Sequence, residues 1–420
     1  MKTKAVRMYG KGDLRLEEFE LPRLGEDEIL AHIVSDSLCM SSYKAAKQGS
    51  EHKRVPADIA QSPVIVGHEF CGELIEVGSK WKSKFKAGDR FSIQPALNYK
   101  GSLDAPGYSY RYIGGDATYV IIPNEVMEMN CLLRYSGAPY FMGSLSEPMS
   151  CIVGAFNAMY HTTQGSYVHT MGIRAGGNMA ILAGVGPMGL GMIDYAIHRK
   201  VRPSRLVVTD IDDARLARAK SIYTVEHAKS LGVELSYVNT KTMGNAAKEL
   251  VELSGGEGYD DVFVLAPVKS VVEQGDAILA KDGCMHFFAG PTDPAFSASI
   301  NFYNVHYAFT HVVGTTGGNT DDMVEALALM GDGTINPVAM ITHVGGLDAV
   351  APTTLHLPEI PGGKKLMYTN IELPLTAIAD FEEKGKSEPL FAELARIVKA
   401  NNGLWSLEAE RHLLGHAKKI

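Results

Sequence analysis

The stretch VIVGHEFCGELIEVG, residues 64–78, places three potential metal ligands close together: His68, Glu69 and Cys71. Imidazole, carboxylate and thiolate are all ligands of Zn²⁺ and related transition metals. A single histidine is more often a structural residue than a ligand, so this stretch alone only suggests a metal site. The sequence must show whether these side chains act together or are completed from elsewhere.

The segment AGVGPMG supplies a second candidate site, because it follows an apolar run and precedes a helical segment. In that context the first glycine permits a tight turn, the second lets the backbone approach a pyrophosphate, and the third lets the helix pack closely. The segment could also bind no nucleotide, or a different one such as S-adenosylmethionine. The predicted cofactor-binding residues of this turn are Gly184, Gly186, Pro187, Met188 and Gly189.

Asp210 indicates which dinucleotide would bind, since it ends the next apolar run. An acidic residue at that position accepts hydrogen bonds from the adenosine ribose diol and repels a 2′-phosphate. Asp212 and Asp213 add to the negative charge. The sequence therefore favours NAD, with NADP as the less favoured alternative.

Two kinds of element must position these residues. Up to about residue 165, short alternating or apolar runs separated by Gly, Pro and Asp predict a β-rich half. From Met179 onward, near-continuous apolar runs alternate with helical segments, which is typical of strands buried on both faces of a parallel sheet. We expect an α/β protein with a Rossmann-type doubly wound parallel sheet and a second, β-rich domain. The predicted strands of the parallel sheet include residues 179–184, 206–210, 261–267 and 284–290.

The order of patterns along the chain predicts how the domains divide. After a predicted helix that follows residue 319, the pattern resembles the first half again, so the chain is expected to return to the first domain. We predict one domain from residues 1–164 and 317–420, and a nucleotide-binding domain from residues 165–316. A chain of 420 residues with 45% hydrophobic content suits two domains.

Composition excludes several classes of function. The net charge of −8 gives no basic face for nucleic acid, and no lysine-rich run suggests a membrane surface. The N-terminus lacks the apolar core of a secretory signal, and glycines interrupt the one long apolar stretch, residues 179–197. Five cysteines are scattered singly, which favours reduced thiols and a cytoplasmic location.

The sequence around His68 resembles a known family signature. Gly67-His68-Glu69-x-x-Gly72, followed by EVG and AGDR, resembles zinc-containing medium-chain dehydrogenases, and its sorbitol-dehydrogenase-like members in particular. That resemblance implies a GroES-like catalytic domain for the β-rich half. It also implies a catalytic zinc held by Cys39 and His68, with Glu69 and Glu147 as carboxylates, one direct and one through water or by exchange. Three protein ligands would leave an open position for a substrate oxygen.

Two cysteine observations refine the expected metal content. Cys71 falls at a variable position of the signature, so we expect it to be a buried packing residue rather than a ligand. The family's structural zinc lobe is missing, because no cysteine lies between Cys71 and Cys131. One catalytic zinc and no structural zinc are therefore expected, and the loop of residues 98–115 occupies that region, where it could line a substrate cleft or merely cover the domain.

The resemblance also implies roles around the reacting groups. Ser41 matches the hydroxyl that passes the substrate proton onward, while Arg215 and Lys365 resemble basic positions that contact the adenosine ribose and the pyrophosphate, with a solvated surface charge as the alternative. Where this chain has Ser42, the family often has an aspartate that supports the zinc histidine. Where this chain has Lys44, the family often has a histidine that ends the proton relay. Support for His68 is therefore weaker or supplied elsewhere, and Lys44 either completes the relay or binds an anion.

Segments along nearly the whole chain resemble a branch of this family that interconverts L-sorbose 1-phosphate and D-glucitol 6-phosphate, using zinc and NAD(H). The resemblance implies a small sugar or sugar-phosphate substrate and a homodimer or homotetramer. The alternatives are an unphosphorylated polyol dehydrogenase, a zinc-free reductase and a non-catalytic dinucleotide sensor. A phosphate would need local cations, of which Lys44 is favoured among candidates near the cleft: Lys44, Lys47, Lys53, Arg54, Lys100 and Arg111.

Overall fold

The computed structural model describes residues 1–163 and 165–420, which form two compact units. Unit 1 comprises Met1–Glu147 and Ile341–Ile420, and unit 2 comprises Pro148–Met340. Among the described residues, no helix combines the length and the apolar character that crossing a membrane requires.

The strands and helices are numbered in chain order. The strands are β1 Lys2–Gly10, β2 Asp13–Glu20, β3 Ile29–Leu38, β4 Val64–Ile65, β5 Phe70–Val77, β6 Arg90–Ile93, β7 Tyr119–Ile122, β8 Leu132–Arg134, β9 Tyr160–Thr162, β10 His169–Met171, β11 Asn178–Leu182, β12 Arg205–Asp210, β13 Glu234–Asn239, β14 Tyr259–Val264, β15 Leu279–Phe287, β16 His311–Val313, β17 Ile341–Gly346, β18 Lys364–Tyr368 and β19 Thr376–Ala377. The helices are α1 Met40–Gln48, α2 Asn124–Glu128, α3 Tyr140–Ser144, α4 Ser146–Ala158, α5 Pro187–His198, α6 Asp213–Ile222, α7 Val225–Ser230, α8 Ala246–Leu253, α9 Lys269–Ala277, α10 Phe302–Tyr307, α11 Thr320–Gly331, α12 Val350–Leu355, α13 Phe381–Lys384, α14 Pro389–Ala400 and α15 Leu407–His416.

Unit 2 is built on a six-stranded parallel sheet in the order β13-β12-β11-β14-β15-β16. This is the strand order of a doubly wound dinucleotide fold, with the switch point beside β11. The apolar runs of the sequence form its central strands, where residues such as Ile181, Val207 and Val262 are fully buried. The prediction of a Rossmann-type sheet is confirmed.

Unit 1 contains an eight-stranded sheet in which β19-β17-β18-β3-β5-β6-β8 are neighbours and β7 also pairs with β3. Strand β18 comes from the C-terminal part of the chain and pairs antiparallel with β3 from the N-terminal part. Unit 1 is therefore built from both ends of the chain. The pairing of β18 with β3 positions the candidate metal site.

The boundaries of the two units differ from the domain boundaries that the sequence predicts. The chain changes unit after Glu147 and after Met340, rather than after residues 164 and 316. Most of helix α4 and all of helix α11 lie between the predicted and the observed boundaries, and both pack within unit 2. In α4, the ring of Phe156 stacks on Phe263 with centroids 4.5 Å apart, and in α11 Glu325 accepts a 2.6 Å hydrogen bond from the hydroxyl of Tyr195.

Candidate metal centre and nucleotide site

Three of the predicted metal ligands come together in unit 1. Cys39 follows β3 and stands at the N-terminus of α1, while His68 and Glu69 lie just before β5. Strands β3 and β5 are antiparallel neighbours, so the end of one lies beside the start of the other. One ligand atom from each of the three residues lies within 4.8 Å of the others.

Neighbouring hydroxyl groups fix the orientation of the His68 ring. The Ser42 hydroxyl lies 3.1 Å from Nδ1, while the hydroxyls of Ser41 and Tyr108 each lie 3.2 Å from Nε2. Burial lowers the pKa of His68, although the charges of Glu147 and Glu69 oppose this effect. A ring held through Nδ1 presents Nε2 to the cluster, as a metal-binding histidine does.

Glu69 has a cation partner that sequence reasoning missed. The ammonium of Lys364 lies 2.5 Å from both carboxylate oxygens, and the Ser37 hydroxyl donates a further hydrogen bond to Oε2. Both charged side chains are almost completely buried. Burial alone lowers the pKa of Lys364, but the Glu69 carboxylate outweighs it, so this pKa is raised and the lysine stays charged. The carboxylate of Glu69 is therefore already neutralised by the protein.

Burial also shifts the pKa values of Glu147 and Cys39. Burial raises the pKa of Glu147 to about 7, and the negative charge of Glu69 adds to the effect. Burial likewise raises the pKa of the Cys39 thiol, with a further contribution from Glu69, while the Ser41 hydroxyl donates a 3.0 Å hydrogen bond to its sulfur. A divalent cation at this position would favour the charged forms of both side chains.

The donor set fits zinc. The thiol of Cys39, the imidazole of His68 and the carboxylate of Glu69 meet in a largely buried cluster, which is the ligand chemistry of catalytic zinc sites. Cys39 and His68 would hold the ion together with one carboxylate. The hydroxyls of Ser41 and Tyr108 border the cluster, each 3.2 Å from Nε2 of His68.

Cys71 is not part of the cluster, as expected. It is fully buried in β5 opposite Ser92, and burial raises the pKa of its thiol well above the usual range. A Cβ atom at Gly143 would lie 2.4 Å from the Cys71 sulfur, which shows how closely α3 packs on it. Cys71 is a packing residue.

The loop that replaces the structural zinc lobe reaches the candidate centre. Its Tyr108 is buried, and its ring lies 4.8 Å from that of His68. Gly107 has φ +82°, and a Cβ there would lie 2.0 Å from the Gly67 carbonyl oxygen, so only glycine permits this approach. The aromatic content of the loop was the only signal in the sequence that could have identified Tyr108.

Two buried carboxyl groups, those of Asp36 and Asp116, lie near Glu69. Asp36 accepts a 3.0 Å hydrogen bond from the Glu69 amide, and burial together with the charge of Asp116 raises its pKa well above the usual range. Burial also raises the pKa of Asp116 well above that range. Within the described chain, neither carboxylate oxygen of Asp116 has a hydrogen-bond partner. Burial therefore favours the protonated form of each carboxyl.

The other predicted residues of unit 1 lie outside the metal cluster. Lys44 on α1 acts electrostatically on His52. The ammonium of Lys365 donates hydrogen bonds to the carbonyls of Ile360, Pro361 and Gly363, and burial lowers its pKa to about 8. Successive residues of a strand point to opposite faces, which is why Lys364 and not its neighbour contacts Glu69.

In unit 2, the glycine-rich turn has the local structure that its pattern predicts. It connects β11 to α5, with Gly186 at the N-cap and Pro187 as the first helical residue. A Cβ at Gly189 would lie 2.1 Å from the Gly184 carbonyl oxygen, so the helix packs closely against the turn. A Cβ at Gly186 would meet only the Arg215 side chain, at 3.4 Å, which leaves this side of the turn open to a ligand.

Asp210 and Arg215 lie together beside this turn. Asp210 ends β12, where Oδ1 accepts hydrogen bonds from the amides of Ile211 and Asp212. A guanidinium nitrogen of Arg215 lies 3.9 Å from the same carboxylate oxygen. Asp212 instead caps α6 through the amides of residues 214 and 215, so its first role is structural.

Two family models match the chain. The alcohol dehydrogenase GroES-like domain matches residues 25–130, and the zinc-binding dehydrogenase family matches residues 187–332. The first range includes Cys39, His68 and Glu69, and the second includes the start of α5 and Asp210. Gly184, Gly186 and Glu147 lie outside both matched ranges.

Individual proteins agree with these matches. Mannitol-1-phosphate 5-dehydrogenase of Aliivibrio fischeri is 53% identical over 98% of this chain and 97% of its own length. L-sorbose 1-phosphate reductase of Klebsiella pneumoniae is 51% identical over 100% of this chain and 98% of its own length. The crystal structure of 2R,3R-butanediol dehydrogenase from Bacillus subtilis superposes with a TM-score of 0.69 at 22% identity, covering 88% of this chain and 100% of that chain, and so supports the fold. The chain is therefore an enzyme of the zinc-binding, medium-chain alcohol and polyol dehydrogenase family, whose cofactors are zinc and NAD(P).

Proposed function

We propose that this enzyme transfers hydride between NAD(H) and a ketose phosphate or polyol phosphate, with L-sorbose 1-phosphate and D-glucitol 6-phosphate as the favoured pair. The observation that carries the proposal is the convergence of Cys39, His68 and Glu69 within 4.8 Å. Two full-length relatives are named for sugar-phosphate or polyol-phosphate substrates, which supports the substrate class.

We infer that Cys39, His68 and Glu147 hold one catalytic zinc, while Glu69 remains paired with Lys364. The contacts of Glu69 support this division, because Lys364 engages both of its oxygens and Ser37 adds another hydrogen bond. Zinc supplies Lewis acidity toward a substrate carbonyl, and the dinucleotide supplies or accepts the hydride. The five cysteines are scattered singly in the sequence, without the cluster that a structural zinc would need, which supports a single zinc per chain.

The chain's own groups handle the proton. The Ser41 hydroxyl lies next to both Cys39 and His68 and can donate a proton to the substrate oxygen in the reducing direction. Tyr108 presents a second hydroxyl to the same place. Lys44, on the same helix as Ser41, either returns the proton to Ser41 or binds an anion.

A second substrate pair is favoured by the relative named for mannitol 1-phosphate. Oxidation of that compound at carbon 5 gives fructose 6-phosphate, whose phosphate is distant from the carbonyl. In L-sorbose 1-phosphate the phosphate is on the adjacent carbon. An unphosphorylated polyol and a non-catalytic sensor are the remaining alternatives.

One assay separates these possibilities. NADH oxidation is followed with L-sorbose 1-phosphate, fructose 6-phosphate and the two unphosphorylated ketoses. We expect the highest kcat/KM with L-sorbose 1-phosphate. A preference for fructose 6-phosphate would favour the mannitol 1-phosphate pair, and equal activity on free ketoses would remove the phosphate from the proposal. NADH binding without turnover of any compound would indicate the sensor.

We propose NAD rather than NADP, on the basis of Asp210. Its carboxylate ends β12 beside the open side of Gly186, where a 2′-phosphate would meet negative charge. The neighbouring Arg215 can contact the ribose from the opposite direction. Isothermal titration with both dinucleotides tests this assignment, and tighter binding of NADP would contradict it.

We also propose a cytoplasmic homo-oligomer that self-associates through unit 2. Strand β16 is the edge of the six-stranded sheet, and an edge strand leaves backbone groups available for pairing. Helix α10 exposes Phe302, Tyr303 and Tyr307 nearby along the chain, with 76%, 69% and 62% of their surfaces accessible. Light scattering should give a dimer or tetramer, and Tyr303→Asp should shift it toward monomer, whereas an unchanged oligomer would place the interface elsewhere.

A further inference from the structure

A group of basic side chains surrounds His52 in unit 1. Burial lowers the pKa of His52 most, and the positive charges of Arg54, Lys53 and Lys44 lower it further. This concentration of positive charge stands out in a chain whose net charge is −8. The cluster consists of Lys44, His52, Lys53 and Arg54, and it attracts an anion of small size.

Within this basic cluster, Arg54 is held in place by the backbone and by an aromatic ring. The Ser109 hydroxyl donates a 2.6 Å hydrogen bond to the Arg54 carbonyl, and the Arg54 amide donates one of 3.3 Å to Nδ1 of His52. The guanidinium carbon lies 5.7 Å from the centre of the Tyr108 ring, within the range of a cation–π interaction. The position of the guanidinium is therefore defined before any ligand binds.

The guanidinium of Arg54 uses few of its N–H donors. It gives one hydrogen bond, of 3.3 Å, to the Leu103 carbonyl. No carboxylate in residues 1–163 and 165–420 lies within 4.0 Å of it. A guanidinium carries five N–H donors, so several remain for an oxyanion.

Tyr108 connects this arginine to the candidate metal centre. Its hydroxyl lies 3.2 Å from Nε2 of His68, and its ring lies 4.8 Å from the His68 ring. The ring of His52 stacks on the same tyrosine, with centroids 5.8 Å apart and planes 11° apart. The candidate metal ligand His68 and the Arg54 guanidinium thus contact the same side chain.

We infer that Arg54 binds the phosphate group of the open-chain substrate whose carbonyl carbon reacts beside Cys39 and His68, with Tyr108 contacting the substrate between them. This inference rests on the proposed function and deepens it, because it names the residue that selects phosphorylated over free ketoses. A guanidinium fork matches two phosphate oxygens, and the charges of Lys44 and Lys53 add to the attraction for a dianion. Arg54, rather than Lys44, is therefore the main phosphate ligand.

Arg54→Gln tests the inference, with Arg111→Gln as its matched control. Arg111 is an exposed arginine of the neighbouring loop that also lies over a tyrosine ring, at 5.5 Å from Tyr112. Steady-state kinetics are measured with the best phosphorylated ketose and with its unphosphorylated counterpart. We expect Arg54→Gln to lower kcat/KM for the phosphorylated ketose by about 10- to 100-fold, mainly through KM, and to leave the free ketose and the zinc content unchanged. Arg111→Gln should match the wild type on both substrates.

Inorganic phosphate provides a second readout. It should inhibit the wild type competitively against the phosphorylated ketose and should inhibit Arg54→Gln at least about tenfold more weakly. Arg54→Lys keeps the charge without the fork and should fall between the two, which also covers the case in which Arg54→Gln is unstable. Unchanged kinetics in Arg54→Gln, or an equal loss on both ketoses, would overturn the inference while leaving the proposed function intact. A wild type that shows no preference for phosphorylated ketoses would overturn both, before any variant is compared.

Discussion

The Lys364 ammonium lies 2.5 Å from both carboxylate oxygens of Glu69, in the buried interior of unit 1. The two residues are 295 positions apart in the sequence. The pairing of β18 with β3 brings them together, because Lys365 is opposite Leu38 and the preceding Lys364 is therefore level with Cys39. The ion pair ties the C-terminal part of the chain to the segment that carries His68.

Replacing Lys364 by methionine should destabilise the protein strongly. The substitution leaves the Glu69 carboxylate buried without its cation, and breaking one side of a buried ion pair costs about 3 kcal/mol. Chemical denaturation of the metal-free protein should show this loss of free energy of unfolding. The double variant Lys364→Met with Glu69→Gln should recover most of it, whereas an equal loss in the double variant would mean that packing, not charge, explains the effect.

The neighbouring serines of α1 should have separable roles. Ser42→Ala removes the hydroxyl beside Nδ1 of His68 and should weaken zinc binding by about 10- to 100-fold. Ser41→Ala removes the hydroxyl beside Nε2 and Cys39, and should lower kcat by about 100-fold with bound zinc retained. Competition with a zinc chelator and steady-state kinetics measure the two effects. The assignment fails if both variants lose zinc equally.

The nucleotide preference should respond to Asp210. In the proposed assignment the Asp210 carboxylate repels a 2′-phosphate, so Asp210→Ser should improve NADP binding relative to NAD by about tenfold. Isothermal titration of the variant and the wild type provides the comparison. Asp212→Ser is the control, since Asp212 caps α6 and should change stability more than selectivity. An unchanged ratio of NADP affinity to NAD affinity in Asp210→Ser would contradict the assignment.

The stability of unit 2 should fall as pH rises through the pKa of His161. Nε2 of His161 lies 3.0 Å from Oδ1 of Asp261, and Nδ1 lies 3.0 Å from the Asp282 backbone carbonyl. Burial alone lowers the pKa of His161, but the hydrogen bond and charge of Asp261 outweigh it, so this pKa is raised above 6.5. The stabilising contribution is therefore complete below pH 6.5 and is lost as pH rises through the folded-state value. His161→Gln should remove this part of the pH dependence in thermal unfolding, and a pH profile equal to that of the wild type would contradict the role.

Local patterns predicted much of this architecture. The parallel strands and the glycine-rich turn depend on contiguous residues, so their burial and spacing are visible in the sequence. Cys39, His68 and Glu69 were predicted through a family signature, and the structure brings them together. The pairing partner of Glu69 could not be predicted, because it depends on the register between strands from opposite ends of the chain.

Three other features could not be predicted, each for a different reason. Tyr108 lies in a loop without periodicity, where no pattern indicates which side chain points inward. The support of His68 by Ser42 looked like a deficiency when compared with the aspartate of other family members, yet the hydroxyl lies 3.1 Å from Nδ1. The unit boundaries depend on which sheet the flanking helices pack against, and this is a property of tertiary packing rather than of local sequence.

The most direct test of the central claim is the zinc content of purified protein, measured together with NADH-linked activity, for the wild type and for Cys39→Ser. We predict one zinc per chain in the wild type, and a parallel loss of zinc and activity in the variant. Cys71→Ser is the control. Because Cys71 is a buried packing residue, this variant should retain zinc. Full activity in zinc-free Cys39→Ser would contradict the account.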